Sequence, residues 1–151
     1  MTSIKPSYPQ EFPFYQNIQV RYADLDTLQH VNNVAILSYV EHARIGYYHA
    51  SGMWNGTISK GFGTVVASVK IDYLEPIRFG DSVRVGVRVS HLGGKSLRFH
   101  FQVENGEDFG VYARGEVVMV SYNHQSESSQ PIPQEWREKI AKFENNPELS
   151  A

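Results

Sequence analysis

One long helix in the middle of this chain limits the folds that are open to it. From Asn33 to about His49 apolar residues recur at helical spacing, and Gly52 stands where a helix is expected to stop. Four further side chains widen the apolar stripe: Ala35, Tyr39, Ile45 and Tyr48. A helix that is apolar over much of its circumference is normally surrounded by other structure. The sequence therefore predicts a central helix that the rest of the chain covers.

The residues on both sides of this helix have the patterns of β-strands. Ahead of it, apolar and polar residues alternate from Ile18 to Tyr22, and after it the segment from Thr64 to Tyr73 is largely apolar and β-branched, which is typical of a strand covered on both faces. Three further segments have strand character: 83–89, 97–103 and 111–122. These patterns predict an α+β fold in which a curved antiparallel sheet wraps around one long central helix. Another α+β sandwich would show the same pattern.

The chain has the length of a single domain. Its 151 residues contain no internal repeat and no second core. Residues 1–15 are rich in proline and predict an extended N-terminal arm, and residues 16–145 predict the domain itself. That domain ends in a short amphipathic helix that starts at Pro133, and residues 146–151 form a tail. The exposed edges and outer face of such a sheet favour a homodimer or a homotetramer.

The composition excludes several classes of function. The net charge is −2 and the basic residues are scattered, which disfavours a nucleic-acid partner. The chain contains no cysteine, so disulfides, thiolate metal sites and a cysteine nucleophile are excluded. No segment approaches the ~20 apolar residues of a membrane span, and the first residues lack the pattern of a signal peptide. A cytoplasmic protein is the expectation.

The most informative motif lies at the start of the central helix. Asp24 and Asp26 end a strand-like run, His30 follows, and Asn32 and Asn33 open the helix. Ionised, Asp26 could attack a carbonyl directly or deprotonate a water molecule, and the backbone N–H of Asn33 could stabilise the oxyanion that forms. The alternative is that Asp26 only caps the helix or the turn, and that His30 only bonds to the backbone.

The run from Val20 to Asn33 resembles the active-site signature of the hotdog-fold acyl-CoA thioesterases of the 4-hydroxybenzoyl-CoA thioesterase-like family. The resemblance implies the hotdog fold, makes Asp26 the catalytic acid and places the carbonyl-polarising amide at Asn33. It further implies that Gly63 faces the acyl group and that Asp81 opens a strand. Residues of the predicted hairpin would contact coenzyme A: Gly93, Gly94, Lys95 and Ser96.

Plant acyl-carrier-protein thioesterases share the run Asp-Leu-Asp-x-x-Gln-His-Val-Asn-Asn closely, so the acyl carrier is open. Those enzymes have an asparagine where this chain has Leu28, and a cysteine for which this chain has no candidate. The hotdog family often has glycine at the position of Gln29. Any chemistry here must therefore rest on the Asp26 carboxylate, with Glu41 on the helix as the reserve catalytic carboxylate.

Three functions fit these residues. The first is an acyl-CoA thioesterase that needs no cofactor, coenzyme A being part of the substrate, with an acyl tunnel that Tyr39, Tyr47 and Phe62 would line. The second is an acyl-carrier-protein thioesterase with a basic docking face around the tunnel mouth, formed by Arg78, Arg84, Arg88 and Arg98. The third is a hotdog protein that binds acyl thioesters without hydrolysing them. The dispersed histidines predict no metal site, and neither His42 nor His49 has an evident acidic partner for a dehydratase.

Overall fold

The computed structural model describes residues 12–54 and 62–151, and it contains one antiparallel sheet and one long helix. The sheet has the strand order β1-β3-β4-β5-β2, with a short β6 paired to β5. The strands are β1 (Phe14–Ile18), β2 (Phe62–Tyr73), β3 (Val83–Leu92), β4 (Ser96–Asn105), β5 (Val111–Asn123) and β6 (Ser128–Ser129). The helices are α1 (Asn33–Ser51) and α2 (Gln134–Glu144), with 3-10 turns at Tyr22–Asp24 and Pro147–Ser150. The predicted curved sheet around one helix is confirmed.

Helix α1 lies over the β1 and β3 side of the sheet and carries much of the core. Its Tyr47 is fully buried and meets the Phe99 ring of β4 edge to face, with 5.5 Å between ring centroids. Gly46 permits the close approach of β1, because a Cβ atom there would come within 2.7 Å of the Phe14 ring. The helix ends at Gly52, whose φ of 85° is the left-handed conformation that glycine adopts most easily. The predicted stop is therefore confirmed.

The first strand lies earlier in the chain than the alternation from Ile18 to Tyr22 predicts. Strand β1 is Phe14–Ile18, so two residues assigned to the extended arm are part of the sheet, and Tyr22 belongs to a 3-10 turn. The cause is local: the Asp24 side chain accepts a hydrogen bond from the Arg21 backbone N–H at 2.9 Å, which folds the chain back. Residues 1–11 of the predicted arm lie outside the described residues.

Strand β2 is not covered on both faces within one chain. Its residues Val66, Val69 and Tyr73 are 49%, 44% and 48% exposed. Their cross-strand partners on β5 are buried, so these side chains lie on the inner face of the sheet. β2 is an edge strand, and α1 packs on β1 and β3 at the other edge of the sheet. The prediction of a doubly covered strand is wrong for the described part of the chain, which leaves the inner face of β2 open.

The last residue of α2 fastens this helix to the sheet. The Glu144 carboxylate accepts a short hydrogen bond from the hydroxyl of the buried Tyr47 and a second one, at 2.9 Å, from the backbone N–H of Val89. Val89 precedes an irregularity in the pairing of β3 with β4. Burial raises the pKa of Glu144, although both hydrogen bonds work against this rise.

Substitutions of Glu144 should separate the effect of its hydrogen bonds on stability from the effect of its charge. Glu144→Ala is expected to lower the free energy of unfolding by about 1–3 kcal/mol, because the Tyr47 hydroxyl loses its acceptor in the core. Glu144→Gln keeps an acceptor oxygen and should cost far less. Because the folded-state pKa of Glu144 lies above its unfolded value, its contribution to stability is fully present below the unfolded pKa and declines as pH rises through the folded pKa. Urea unfolding across pH 4–8 should show this decline in the wild type and not in Glu144→Gln.

None of the helices in residues 12–54 and 62–151 combines the length and the apolar content that crossing a membrane requires.

Candidate active site

The side chain of Asp26 organises the turn that leads into α1. One carboxylate oxygen, Oδ1, accepts hydrogen bonds from the backbone N–H groups of Leu28 at 2.9 Å and His30 at 3.2 Å. The main chain closes the same turn, since Asp26 donates its N–H to the His30 carbonyl at 2.7 Å. The Asp26 side chain is exposed, and within the described part of the chain its second oxygen, Oδ2, accepts no hydrogen bond. That oxygen is available to a substrate or a water molecule.

A second carboxylate, Asp24, holds this turn against the helix. Asp24 is 4% exposed and accepts a hydrogen bond from the Tyr39 hydroxyl at 2.6 Å, in addition to those from the backbone and guanidinium of Arg21. Its backbone carbonyl accepts from both the N–H and the side-chain amide of Asn32, at 2.9 and 2.8 Å. Burial works against the charge, but the hydrogen bonds from Tyr39 and Arg21 outweigh it and hold the pKa of Asp24 below its usual range.

The first turn of α1 presents free donors beside the Asp26 turn. Asn32 is the N-cap, and its side-chain oxygen accepts from the Ala35 N–H at 2.8 Å while its carbonyl accepts from Ile36 at 3.1 Å. The backbone N–H groups of Asn33 and Val34 have no hydrogen-bond partner among the residues that the structure describes. Free donors at the positive end of a helix are able to hold an anion, and α1 has 19 residues.

Gln29 stands where the hotdog family often has glycine, and the backbone conformation at this position accounts for that preference. Its φ of 64° is in the left-handed region, which glycine adopts without strain and other residues adopt at a cost. The position forms part of the Asp26 turn, because the Gln29 N–H donates to the Asp26 carbonyl at 3.1 Å. A glycine here would fit the backbone better.

We expect Gln29→Gly to raise the free energy of unfolding by about 1 kcal/mol, since it relieves the left-handed strain and the Gln29 side chain is exposed. Thermal unfolding measures the gain. Gln29→Ala is the matched control, because alanine has a Cβ atom and gains nothing from this conformation. An equal rise in both variants would contradict the explanation.

Main-chain contacts fix His30 in place. Besides its two bonds to Asp26, His30 forms an isolated β-bridge with Arg78, and neighbouring Val31 donates to the Ile77 carbonyl at 2.8 Å. Asp81 supports the same corner by accepting from the Arg78 N–H at 2.9 Å and from the Tyr112 hydroxyl at 3.2 Å. The main chain of His30 is thus held next to Asp26, and the role of its side chain stays a prediction.

The predicted coenzyme A contacts lie at the other end of the domain. Ile18 pairs with the start of β3, so the Asp26 turn lies at that end of the sheet, whereas the hairpin joins the far end of β3 to β4. The backbone there receives hydrogen bonds from the C-terminal segment: Arg137 donates to the Gly93 carbonyl, and Ile132 donates to the Gly94 carbonyl at 2.9 Å. Helix α1 separates the two ends by about 28 Å. One chain therefore does not bring Gly93, Gly94, Lys95 and Ser96 together with Asp26.

Gly63 lies at the hairpin end as well, in the wall of a small cavity beside the C-terminal end of α1. Tyr39 and Tyr47 are both buried, and each uses its hydroxyl to bond a carboxylate, Asp24 and Glu144 respectively. Their tunnel-lining role stays a prediction. The side chain of Phe62 lies outside the described residues. Glu41 is 66% exposed and lies 3.8 Å from the Arg44 guanidinium, a weak ion pair on the helix.

The arginines assigned to a docking face do not form one surface. Arg78 lies beside the Asp26 turn, but Arg88 and Arg98 are on the outer face of the sheet. Arg84 is largely buried there, held by the Glu104 carboxylate at 2.6 Å and stacked on the Tyr15 ring at 3.9 Å. A basic face of these four residues around the site is therefore wrong for this chain. Within residues 12–54 and 62–151 no three potential metal ligands cluster, and the absence of a metal stays a prediction.

Known proteins share this fold. The model of the thioesterase-like superfamily matches residues 20–140. A thioesterase from Thermus thermophilus, solved with coenzyme A and zinc, is 39% identical with a TM-score of 0.77 and covers 90% of this chain and 98% of its own. Among curated proteins, the uncharacterised YsmA of Bacillus subtilis is 35% identical over 76% of both chains. The long-chain acyl-CoA thioesterase FadM of Escherichia coli is 26% identical over 82% of this chain and 93% of FadM. The chain belongs to the thioesterase-like superfamily and is a thioester hydrolase with the hotdog fold.

Proposed function

We propose that this protein is an acyl-CoA thioesterase that hydrolyses an acyl thioester to a free carboxylic acid and coenzyme A. Asp26 either deprotonates the attacking water molecule or attacks the carbonyl carbon itself, forming a mixed anhydride that water then cleaves. In both routes the C–S bond breaks, the thiolate of coenzyme A takes up a proton, and the acyl group leaves as a carboxylate. The reaction uses water and this carboxylate and needs no bound cofactor.

The observation that carries the proposal is the pairing of a free carboxylate oxygen with free helix donors. Asp26 has an exposed Oδ2, and the N–H groups of Asn33 and Val34 at the helix start have no partner in the described part of the chain. The thioester carbonyl oxygen becomes negative in the transition state, and one well-placed donor there contributes about 3 kcal/mol. The hydrogen bonds of Asp24 with Tyr39 and Asn32 hold the Asp26 turn in place against the start of α1.

The proposal includes a homodimer joined along β2. The inner-face side chains Val66, Val69 and Tyr73 form an apolar stripe along a sheet edge that no other strand of residues 12–54 and 62–151 pairs with. Val34 on α1 is 71% exposed. Two β2 edges paired antiparallel about a twofold axis would cover these residues. They would also set the start of β2 in one subunit beside the end of β2 in its partner. The hairpin with Lys95 and Ser96 would then face the Asp26 turn of the other subunit.

Coenzyme A is the carrier that we favour over acyl-carrier protein. The Thermus thermophilus relative was solved with coenzyme A, and the arginines considered for a protein carrier are divided between the site and the outer sheet face. A carrier protein would need a continuous basic surface at the site. A binding protein without turnover would have no use for the free Asp26 oxygen.

Release of free thiol from short, medium, long and aromatic acyl-CoAs tests the proposal, with acyl-carrier-protein thioesters of the same acyl groups as the comparison. Turnover of the coenzyme A series with weak salt dependence supports it. Turnover of the carrier-protein series alone, falling steeply as salt rises, would assign the other carrier. Binding of both series without thiol release would contradict hydrolysis altogether.

A further inference from the structure

A small cavity at the C-terminal end of α1 has one polar wall in otherwise apolar surroundings. It has a volume of about 170 Å³ and lies between α1, the start of β2 and α2. Its apolar lining comes from Ile45, Met53, Trp54 and Trp136. The polar wall is formed by His124 and by the Tyr48 hydroxyl, which shares a hydrogen bond of 3.0 Å with the Thr64 hydroxyl. Such a cavity fits the end of an acyl group and offers hydroxyl groups to it.

A buried guanidinium stands behind this wall. Arg44 is one helical turn before Tyr48 and is 8% exposed, and its Nε has no hydrogen-bond partner among the described residues. Burial raises the pKa of Tyr48, and the Arg44 charge one helical turn away works against this rise. The only acid paired with Arg44 in the described chain is Glu41, at 3.8 Å and 66% exposed.

A second unsatisfied group lies on the adjoining strand. Ser121 is opposite Thr64 in the pairing of β2 with β5, is fully buried, and has a hydroxyl without a partner in the described residues. Buried polar groups are nearly always hydrogen-bonded, and a buried charge is costly unless an opposite charge meets it. Arginine only donates, and hydroxyl groups donate readily, so the group that completes this cluster is an acceptor with negative charge.

The cavity has a place in the proposed reaction. With β2 paired to β2 of a second subunit in antiparallel fashion, the start of β2 and its cavity lie toward the Asp26 turn of the partner subunit. An acyl group attached at that turn would extend toward the cavity. This step rests on the proposed function and its dimer.

We propose that the cavity binds the far end of the acyl group and that Arg44, Tyr48 and Thr64 recognise a carboxylate there. The preferred substrate is accordingly the mono-thioester of a dicarboxylic acid. The carboxylate neutralises the buried guanidinium and accepts from its Nε, which has no partner among the described residues. A methyl end would leave the charge and the hydroxyl groups unsatisfied, which disfavours a plain alkyl chain.

Matched pairs of substrates test this inference. Adipoyl-CoA is compared with hexanoyl-CoA, and suberoyl-CoA with octanoyl-CoA, so that each pair differs only in its terminal group. We expect the wild type to hydrolyse the carboxylate member with at least about tenfold higher kcat/KM. Arg44→Met and Thr64→Val should lower this ratio toward one, whereas Arg98→Met, on the outer face of the sheet, should keep the wild-type ratio.

A ratio near one in the wild type, or a wild-type ratio retained in Arg44→Met, would overturn the inference. If Arg44→Met does not fold, Arg44→Gln and Thr64→Val give the same comparison, with melting temperature as the check on folding. Calorimetric binding of free adipate against hexanoate is a readout that needs no turnover. Failure to hydrolyse any thioester, together with adipate binding that Arg44→Met abolishes, would overturn the proposed function and keep the carboxylate site. Turnover without any preference for a terminal carboxylate would overturn the carboxylate site and keep the proposed function.

Discussion

Replacing Asp26 with asparagine should lower kcat/KM for every hydrolysed thioester by at least about 100-fold while the fold stays intact. Asparagine retains the side-chain oxygen that accepts from the N–H groups of Leu28 and His30, so the turn keeps its hydrogen bonds. It carries no charge, and it can neither deprotonate water nor attack a carbonyl at a useful rate. Thiol-release kinetics with the melting temperature of each variant measure the two effects separately.

Asp108→Asn is the matched control for this substitution. Asp108 is also an exposed turn aspartate, and its carboxylate accepts a hydrogen bond from the Gly110 N–H at 2.8 Å. We expect its variant to retain wild-type kinetics. Equal rates for wild type and Asp26→Asn would remove Asp26 from the chemistry and make Glu41, the reserve carboxylate on α1, the next to replace.

Replacing Val69 with lysine should separate the dimer and abolish turnover together. Val69 is 44% exposed in one chain, and its partner on β5, Val117, is 2% exposed, so a lysine there projects from the inner face into the proposed interface. An unpaired charge buried between two subunits costs several kcal/mol. Light scattering after size exclusion should report a monomer, and kcat/KM should fall by about 100-fold or more because the hairpin no longer reaches Asp26 of the partner subunit.

Ser68→Lys is the control on the same strand. Ser68 is exposed and adjacent in sequence, and because side chains alternate along a strand it lies on the opposite face of β2. Its variant should remain dimeric and active. A dimeric Val69→Lys protein, or a monomer with wild-type activity, would contradict the β2 interface and the division of the site between two subunits.

The sequence was sufficient to predict the elements whose periodicity is local. The all-round apolar pattern located α1 to within two residues of its end at Ser51, and the alternation of valines located β3. The position of Asp26 ahead of a helix also follows from local pattern. The sequence signals of a turn, an N-cap and a helix start each span only a few residues. These features place a carboxylate beside helix donors before any tertiary contact is known.

What the sequence could not predict depends on contacts between distant residues. The helical period gives Tyr39 a place in the apolar stripe of α1, but the hydrogen bond of its buried hydroxyl comes from pairing with Asp24, fifteen positions earlier. Tyr47 meets Glu144 across 97 positions. An apolar strand such as β2 has the same composition whether its own chain or another molecule covers it, so its open face became visible only in the structure.

The opposite placement of the Asp26 turn and the hairpin along α1 bears on how mutations would combine. Each proposed catalytic centre takes its carboxylate from one subunit and its hairpin and cavity from the other. A chain damaged at Asp26 and a chain damaged at the hairpin would both be inactive alone. When they are mixed, a heterodimer pairs both lesions in one centre and leaves the second centre intact. Two defective alleles of this protein would thus complement each other inside a single molecule.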